Sequence, residues 1–252
     1  MTNTPTASST SNYVFHRGLV MALLSVRFTI EFTTQSRGIL DSEDVYIVPQ
    51  MNHILDSSLA LRNMLTPNEA LLMKKNIGEW PNEILKQMSW HSEACGCLLW
   101  SVGELTSFPS LYEPFGFELL NTYFHGMTSL KWVIPFSQRD VGFRDKDEIL
   151  RRKKHAEIVF QRCLFSNTIR HKGKAVPLKT YDSIFHFSEI GLPLSPSGDL
   201  IIFDKEFCDL SEAEEQAIFP VAASRAQAFS FVTNPNQHWD EMNLDYLYKL
   251  PE

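Results

Sequence analysis

Residues 89–103 read Ser89-Trp-His-Ser-Glu-Ala-Cys-Gly-Cys-Leu-Leu-Trp-Ser-Val-Gly103, and this stretch decides the fold. Ala94, Cys95, Cys97, Leu98, Leu99, Trp100 and Val102 leave it without a polar face. A helix that is apolar all round belongs at the centre of a domain. Its single formal charge, Glu93, suits the first helical turn, where amide hydrogens are unpaired. A carboxylate buried there needs a partner. Glu104 and the turn Ser107-Phe108-Pro109 end the helix.

Outward from this centre, Leu19, Ala22, Leu23, Val26 and Ile30 recur at helical spacing and predict a helix over 14–34. Val45 to Val48 reads as strand or loop, and a second helix is expected over 51–65. Thr66-Pro67-Asn68-Glu69 is a capping box with proline at the first helical position, opening a helix that runs to Gly78. Pro81 opens another. Residues 115–125 predict a further helix, and Leu130 to Phe136 an extended segment broken by Pro135. Asp145 with Glu148 caps a long helix to about Cys163, and 170–178 reads as a basic loop. Ser195-Pro196-Ser197-Gly198 is a turn into a strand from Asp199 to Phe203. Ser211 and Glu214 cap a last long helix that is interrupted at Pro220 and ends near Thr233. The expectation is a mainly α chain: a flexible leader at 1–12, then one helical domain over 13–252. A minor β element, a hairpin or short strands, is placed near 192–207.

The 252 residues are 44% hydrophobic and 21% charged, the composition of an ordinary globular protein. The net charge of −7 disfavours phosphate backbones, so no nucleic-acid partner is expected. The same charge suits the capture of a basic protein. The four cysteines are too few for a disulfide scaffold and predict free thiols in a cytoplasm. The apolar run 18–26 lacks a cleavage site and continues into Arg27 and Glu31. It is far shorter than the roughly 20 residues that cross a bilayer, so no membrane is expected.

Several residue groups carry chemistry. His91 and Cys95 share a helical face and could hold a metal, completed by His155, Cys163 or Cys208. Buried cysteines are more often core fillers, so no metal and no cofactor is expected. Cys95 and Cys97 as nucleophiles would need an accessible thiolate, which an apolar run denies them. Glu93 is expected to pair with Arg225 or Arg144, with Trp239 and Asp240 joining one structural polar network. The alternative is an active site, hydrolytic in type, made of Glu93, Arg225 and Asp240. Arg151-Arg152-Lys153-Lys154 points around the whole circumference of a helix and forms no single basic stripe. Arg170, His171, Lys172 and Lys174 form a candidate partner-contact loop. No phosphate-cradling glycine loop, nucleophile elbow or His-Glu-x-x-His is present.

Trp90-His91-Ser92-Glu93-Ala94 with Leu98-Leu99-Trp100-Ser101-Val102-Gly103 and Pro109 forms one distinctive segment. Phe143-Arg144 with Glu148-Ile149-Leu150, and Arg225-x-x-Ala228-Phe229 followed by Trp239-Asp240 and Asp245, are two more. Together, and in this order, they resemble an uncharacterised bacterial family, the domain of unknown function 4272. Ser230-Phe231 stands where that family carries Asn-Trp, and Tyr246 where it carries Thr. The resemblance implies a helical fold and no established activity. The expected function is non-enzymatic protein binding, in its most concrete form an immunity-type antidote that masks a basic toxin or effector. The enzyme around Glu93, Arg225 and Asp240 is the alternative, and a structural adaptor the third.

Overall fold

A computed structural model describes residues 7–110, 113–172 and 191–242. In chain order, the first helices are α1 (Ala7–Arg37), α2 (Asp44–Ser57), α3 (Leu59–Arg62), α4 (Pro67–Met73), α5 (Asn82–Met88) and α6 (His91–Ser101). Then come α7 (Phe117–Tyr123), α8 (Val133–Ser137), α9 (Lys146–Lys172), the strands β1 (Ile201–Ile202) and β2 (Lys205–Glu206), and α10 (Glu212–Thr233). The chain is mainly α with a minor β element, as its periodicity predicts.

The stretch 89–103 is the centre of the molecule. Every residue of α6 from Glu93 to Ser101 is buried. α6 lies between α1 and α10, and α9 packs on the far side of α10. Two glycines permit close packing against α6. A β-carbon on Gly96 would sit 2.1 Å from the Phe115 ring. One on Gly18 would sit 3.2 Å from Leu99. Gly103 (φ +79°) closes α6 in a left-handed turn.

Several boundaries differ from expectation. The polar leader ends earlier than residue 12, because α1 is already helical at Ala7. Ser11 donates to the Val141 carbonyl at 2.6 Å, and Asn12 to Asp140 at 2.9 Å. Small polar residues are held there by the 140–141 chain rather than left in solvent. Val45 to Val48 is the first part of α2, not a strand or loop. Buried Val48, Met51, Ile54 and Leu55 follow a helical repeat that outweighs the β-branched run and Pro49. The expected extended segment 130–136 ends instead in α8, where Pro135 occupies the first turn and no amide is missed.

α1 is long and apolar enough to cross a membrane by length and composition. The expected run was shorter. Of its apolar window 78% is buried inside the protein, and Arg17, Arg27 and Glu31 along it are buried in ion pairs. Inside this fold it is a core helix.

The capping chemistry is as predicted at two helices. Thr66 accepts from the Glu69 amide at 3.2 Å, and Glu69 from the Thr66 amide at 2.9 Å. Ser211 and Glu214 repeat the arrangement at α10. Asp145 caps α9 through the Glu148 amide at 3.0 Å. α4 stops at Met73, before the expected Gly78, while α9 continues past Cys163. There Ser166 donates to Glu215 of α10 at 2.9 Å. Packing on α10 thus carries α9 through residues of weak helical preference.

Ile201 pairs with Glu206 and Ile202 with Lys205 in an antiparallel hairpin. Its two turn residues, Phe203 and Asp204, both have positive φ, the turn that matches strand twist. An additional bridge joins Leu194 to Leu200, so the β element falls within 192–207. The hairpin is fastened to α9 by the Arg162 guanidinium, which donates to both Asp199 oxygens at 2.9 and 2.7 Å.

Candidate functional site

Glu93 sits in the first turn of α6 and is fully buried. It accepts from the Phe115 amide at 2.7 Å and from Arg225 Nε. Arg225, on α10, spends further donors on the carbonyls of Pro109 (3.2 Å) and Ser110 (3.0 Å). Its guanidinium lies over Phe108 at 4.8 Å. Burial pushes the Glu93 carboxyl upward, and Arg225 and the Phe115 amide offset part of that. The pair holds α6, α10 and the Pro109–Phe115 region together.

The rest of the expected network does not join it. Arg144 lies at the opposite end of α6. It donates to the carbonyls of Trp100 (2.8 Å) and Leu105 (2.6 Å) and stacks on Trp100. An eleven-residue helix is about 16 Å long, so Glu93 and Arg144 satisfy different ends of it. Trp239 packs on Phe231 and lies under Arg17, 4.6 Å from the ring centre. Asp240 is exposed, at the rim of a separate cleft of about 640 Å³ shared with Glu69 and His91. Arg225 lines a different cavity, beside Phe108, so among the described residues the proposed catalytic set of Glu93, Arg225 and Asp240 is not brought together. The Glu93 carboxylate and the Arg225 guanidinium are committed to each other and to backbone.

His91 and Cys95 share a face but serve different partners. His91 Nε2 lies 3.7 Å from Glu69, while the Cys95 thiol donates to the Gly18 carbonyl at 3.3 Å where α1 and α6 meet. Burial pushes the Cys95 and Cys97 thiols far up, which makes them poor nucleophiles and poor metal ligands. Glu206, Cys208 and Asp209 do bring ligand atoms within 4.8 Å of one another, on an exposed acidic turn open to solvent.

The basic residues are dispersed. Arg151 and Lys154 are exposed, Arg152 is half-buried, and Lys153 donates to Thr233 at 3.0 Å. Arg170, His171 and Lys172 belong to the end of α9, so their backbone is helical rather than a loop. Lys174, like Asp245 and Tyr246, lies outside the described residues.

Sequence reasoning missed three buried ion pairs. Arg17 clamps Glu69 with two bonds of 2.7 Å and also donates to the Met64 carbonyl. Arg27 pairs with Glu31 on the same helix and holds the Lys75 and Asn76 carbonyls at 2.9 and 3.1 Å. Arg162 and Asp199 form the third. The signal was present: charges set inside apolar runs must find partners.

One surface has a different character. From the connection after α1 into the first turn of α2 the chain reads Ile39-Leu-Asp-Ser-Glu-Asp-Val-Tyr46. Ile39 is 69% exposed, Tyr46 76%, and Leu40 and Val45 over two-fifths. Asp41 and Glu43 are exposed among them, and Asp44 is half-buried. Partial burial, with Asp41 and Glu43 beside it, raises the Asp44 carboxyl above its ordinary value.

No family model, curated protein or solved structure matches this chain. Charge, exposure and geometry are what distinguish its surfaces. Four large apolar side chains and three carboxylates within eight residues form an acidic, greasy tip. A basic surface carrying a hydrophobic pocket is its physical complement.

Proposed function

We propose that this protein is a non-enzymatic binding protein that captures a basic protein partner through the 39–46 tip. The single observation that carries this reading is the exposure of Ile39, Leu40, Val45 and Tyr46 beside Asp41, Glu43 and Asp44. Exposed aromatic and aliphatic anchors supply the central contact of an interface, and surrounding charge steers the encounter. In its most concrete form the protein is an immunity-type antidote, and the partner a basic toxin or effector. The four free cysteines support a cytoplasmic setting, and the segments 90–109, 143–150 and 225–245 support kinship with the domain of unknown function 4272.

The test is affinity capture from native lysate at low and high salt, with the wild type beside two variants. One is the charge-neutral D41N/E43Q/D44N and the other is Y46A. A basic partner retained stoichiometrically at low salt, lost at high salt and lost by both variants supports the proposal. No partner at either salt, or one that both variants keep, rejects it.

A further inference from the structure

A cavity of about 320 Å³ opens between α9, the turn after α6 and the hairpin. Its walls are largely apolar, with Phe108, Val159, Leu192, Leu200 and Ile202 among them. Among the described residues its charged or ionisable lining groups are Arg152, His155 and Arg225, with no carboxylate. In an acidic protein, this is a cationic hollow. Glu93 answers the charge of Arg225. Among the described residues nothing comparable answers Arg152. Among the described residues no carboxylate forms an ion pair with it, and its buried Nε has no hydrogen-bond acceptor. Its guanidinium lies over Phe108 at 4.9 Å and near Trp100 at 5.9 Å. Those rings occupy its face, and its in-plane N–H donors meet no acceptor among the described residues.

Leaving a cation half-buried without a counter-charge is unfavourable. Burial, Arg151 and Arg225 all push the Arg152 guanidinium downward, and Glu148 only partly opposes them. A bound anion would supply the missing charge and the missing acceptor together. The planar fork of arginine matches a carboxylate in two parallel bonds. The hydrocarbon walls match an apolar body, and the volume is at the small end of ligand cavities. A free phosphate would leave most of its hydration unreplaced against such walls.

We infer that this cavity is a binding site for a small organic carboxylate with an aromatic or branched aliphatic body, whose carboxylate pairs with Arg152. The tip at 39–46 contributes no residue to it, so partner capture and ligand binding stand or fall separately.

The experiment is calorimetric titration and ligand-observed NMR of the full chain with phenylacetate, isovalerate and inorganic phosphate. R152Q, R152K and R151Q are titrated alongside, each checked for folding by circular dichroism. Phenylacetate or isovalerate is expected to saturate one site, and R152Q to weaken it at least about tenfold. R152K, which keeps the charge and loses the fork, is expected to fall between. R151Q removes the same charge from the exposed neighbour and is expected to bind as the wild type does. Should R152Q fail to fold, R152K decides the comparison. Three results overturn the inference: no saturation by either acid up to about 10 mM, equal binding after substitution of Arg152, or phosphate binding as tightly as phenylacetate.

Discussion

Arg225 of α10 and Glu93 of α6, 132 residues apart in sequence, meet as a buried ion pair at the centre of the molecule. Each also anchors backbone from the Pro109–Phe115 region, so three chain segments converge on two side chains. Removing one partner leaves an uncompensated charge in a low-dielectric interior. R225L is expected to cost about 3–5 kcal/mol of stability. E93L/R225L is expected to recover part of that, though the Pro109 and Ser110 carbonyls stay unsatisfied. Urea denaturation of the three proteins checks this, and a loss under about 1 kcal/mol in R225L would refute it.

Glu69 gives the protein a pH dependence of definite sign. The Arg17 guanidinium beside it holds its carboxyl far below the ordinary 4.5, against the opposing pull of burial. A depressed folded value means that its stabilisation is complete above pH 4.5 and is lost as pH falls below it. Glu93, raised by burial, acts with the opposite sign, so a comparison with E69Q is needed to isolate Glu69. The stability gap between wild type and E69Q is expected to be constant above pH 5 and to shrink below about 4.5, with a limiting slope of about 1.4 kcal/mol per pH unit. A gap that is flat from pH 6 to pH 3 would remove Glu69 from the account.

G96A is expected to be among the most damaging small substitutions. Its methyl would overlap the Phe115 ring, which is itself buried and held by its amide to Glu93. Overpacking of this kind costs about 3 kcal/mol. G96A/F115L should regain stability in thermal melts, since the smaller side chain vacates the space. A melting temperature unchanged in G96A contradicts the close approach.

Of the four cysteines, only Cys208 is exposed. Partial burial and the carboxylates of Asp199, Asp209 and Glu206 push its thiol up to about 11. One thiol per chain is expected to react with Ellman's reagent in the folded protein, and four after denaturation. The rate should still be rising above pH 9, the ordinary thiol value. Rapid reaction of a second thiol in native buffer would show that Cys95, Cys97 or Cys163 is less enclosed than its burial implies.

What was legible in the sequence was local or periodic. Thr66, Asp145 and Ser211 marked helix starts because capping is decided within four residues. The apolar run around Leu98 marked the centre because no face of it could tolerate water. Glu93 with Arg225 was legible as well, since a lone carboxylate in such a run demands a cation. The choice between Arg225 and Arg144 was settled by which end of α6 each reaches. Asp240 and Trp239 were misassigned because sequence order says nothing about which cleft a late turn will face. Val45 to Val48 misled because β-branched residues suggest a strand, while burial of every third or fourth residue made a helix. The 39–46 tip was not singled out, for apolar residues around a helix start show their exposure only when the packing is known.

Arg17 and Arg27 stand ten residues apart on α1, and between them they fasten the chain from Met64 to Gly78. Arg17 takes the Met64 carbonyl and Glu69, Arg27 takes the carbonyls of Lys75 and Asn76, and Glu31 accepts the Gly78 amide. α4, at seven residues, is too short to persist alone. Riveted at both ends to the core helix, it cannot open without stranding two cations. Its amide hydrogens should therefore exchange with solvent deuterium on the timescale of whole-molecule unfolding, as slowly as those of α6. A short helix of about two turns thus shares the lifetime of the interior and belongs to the same cooperative unit.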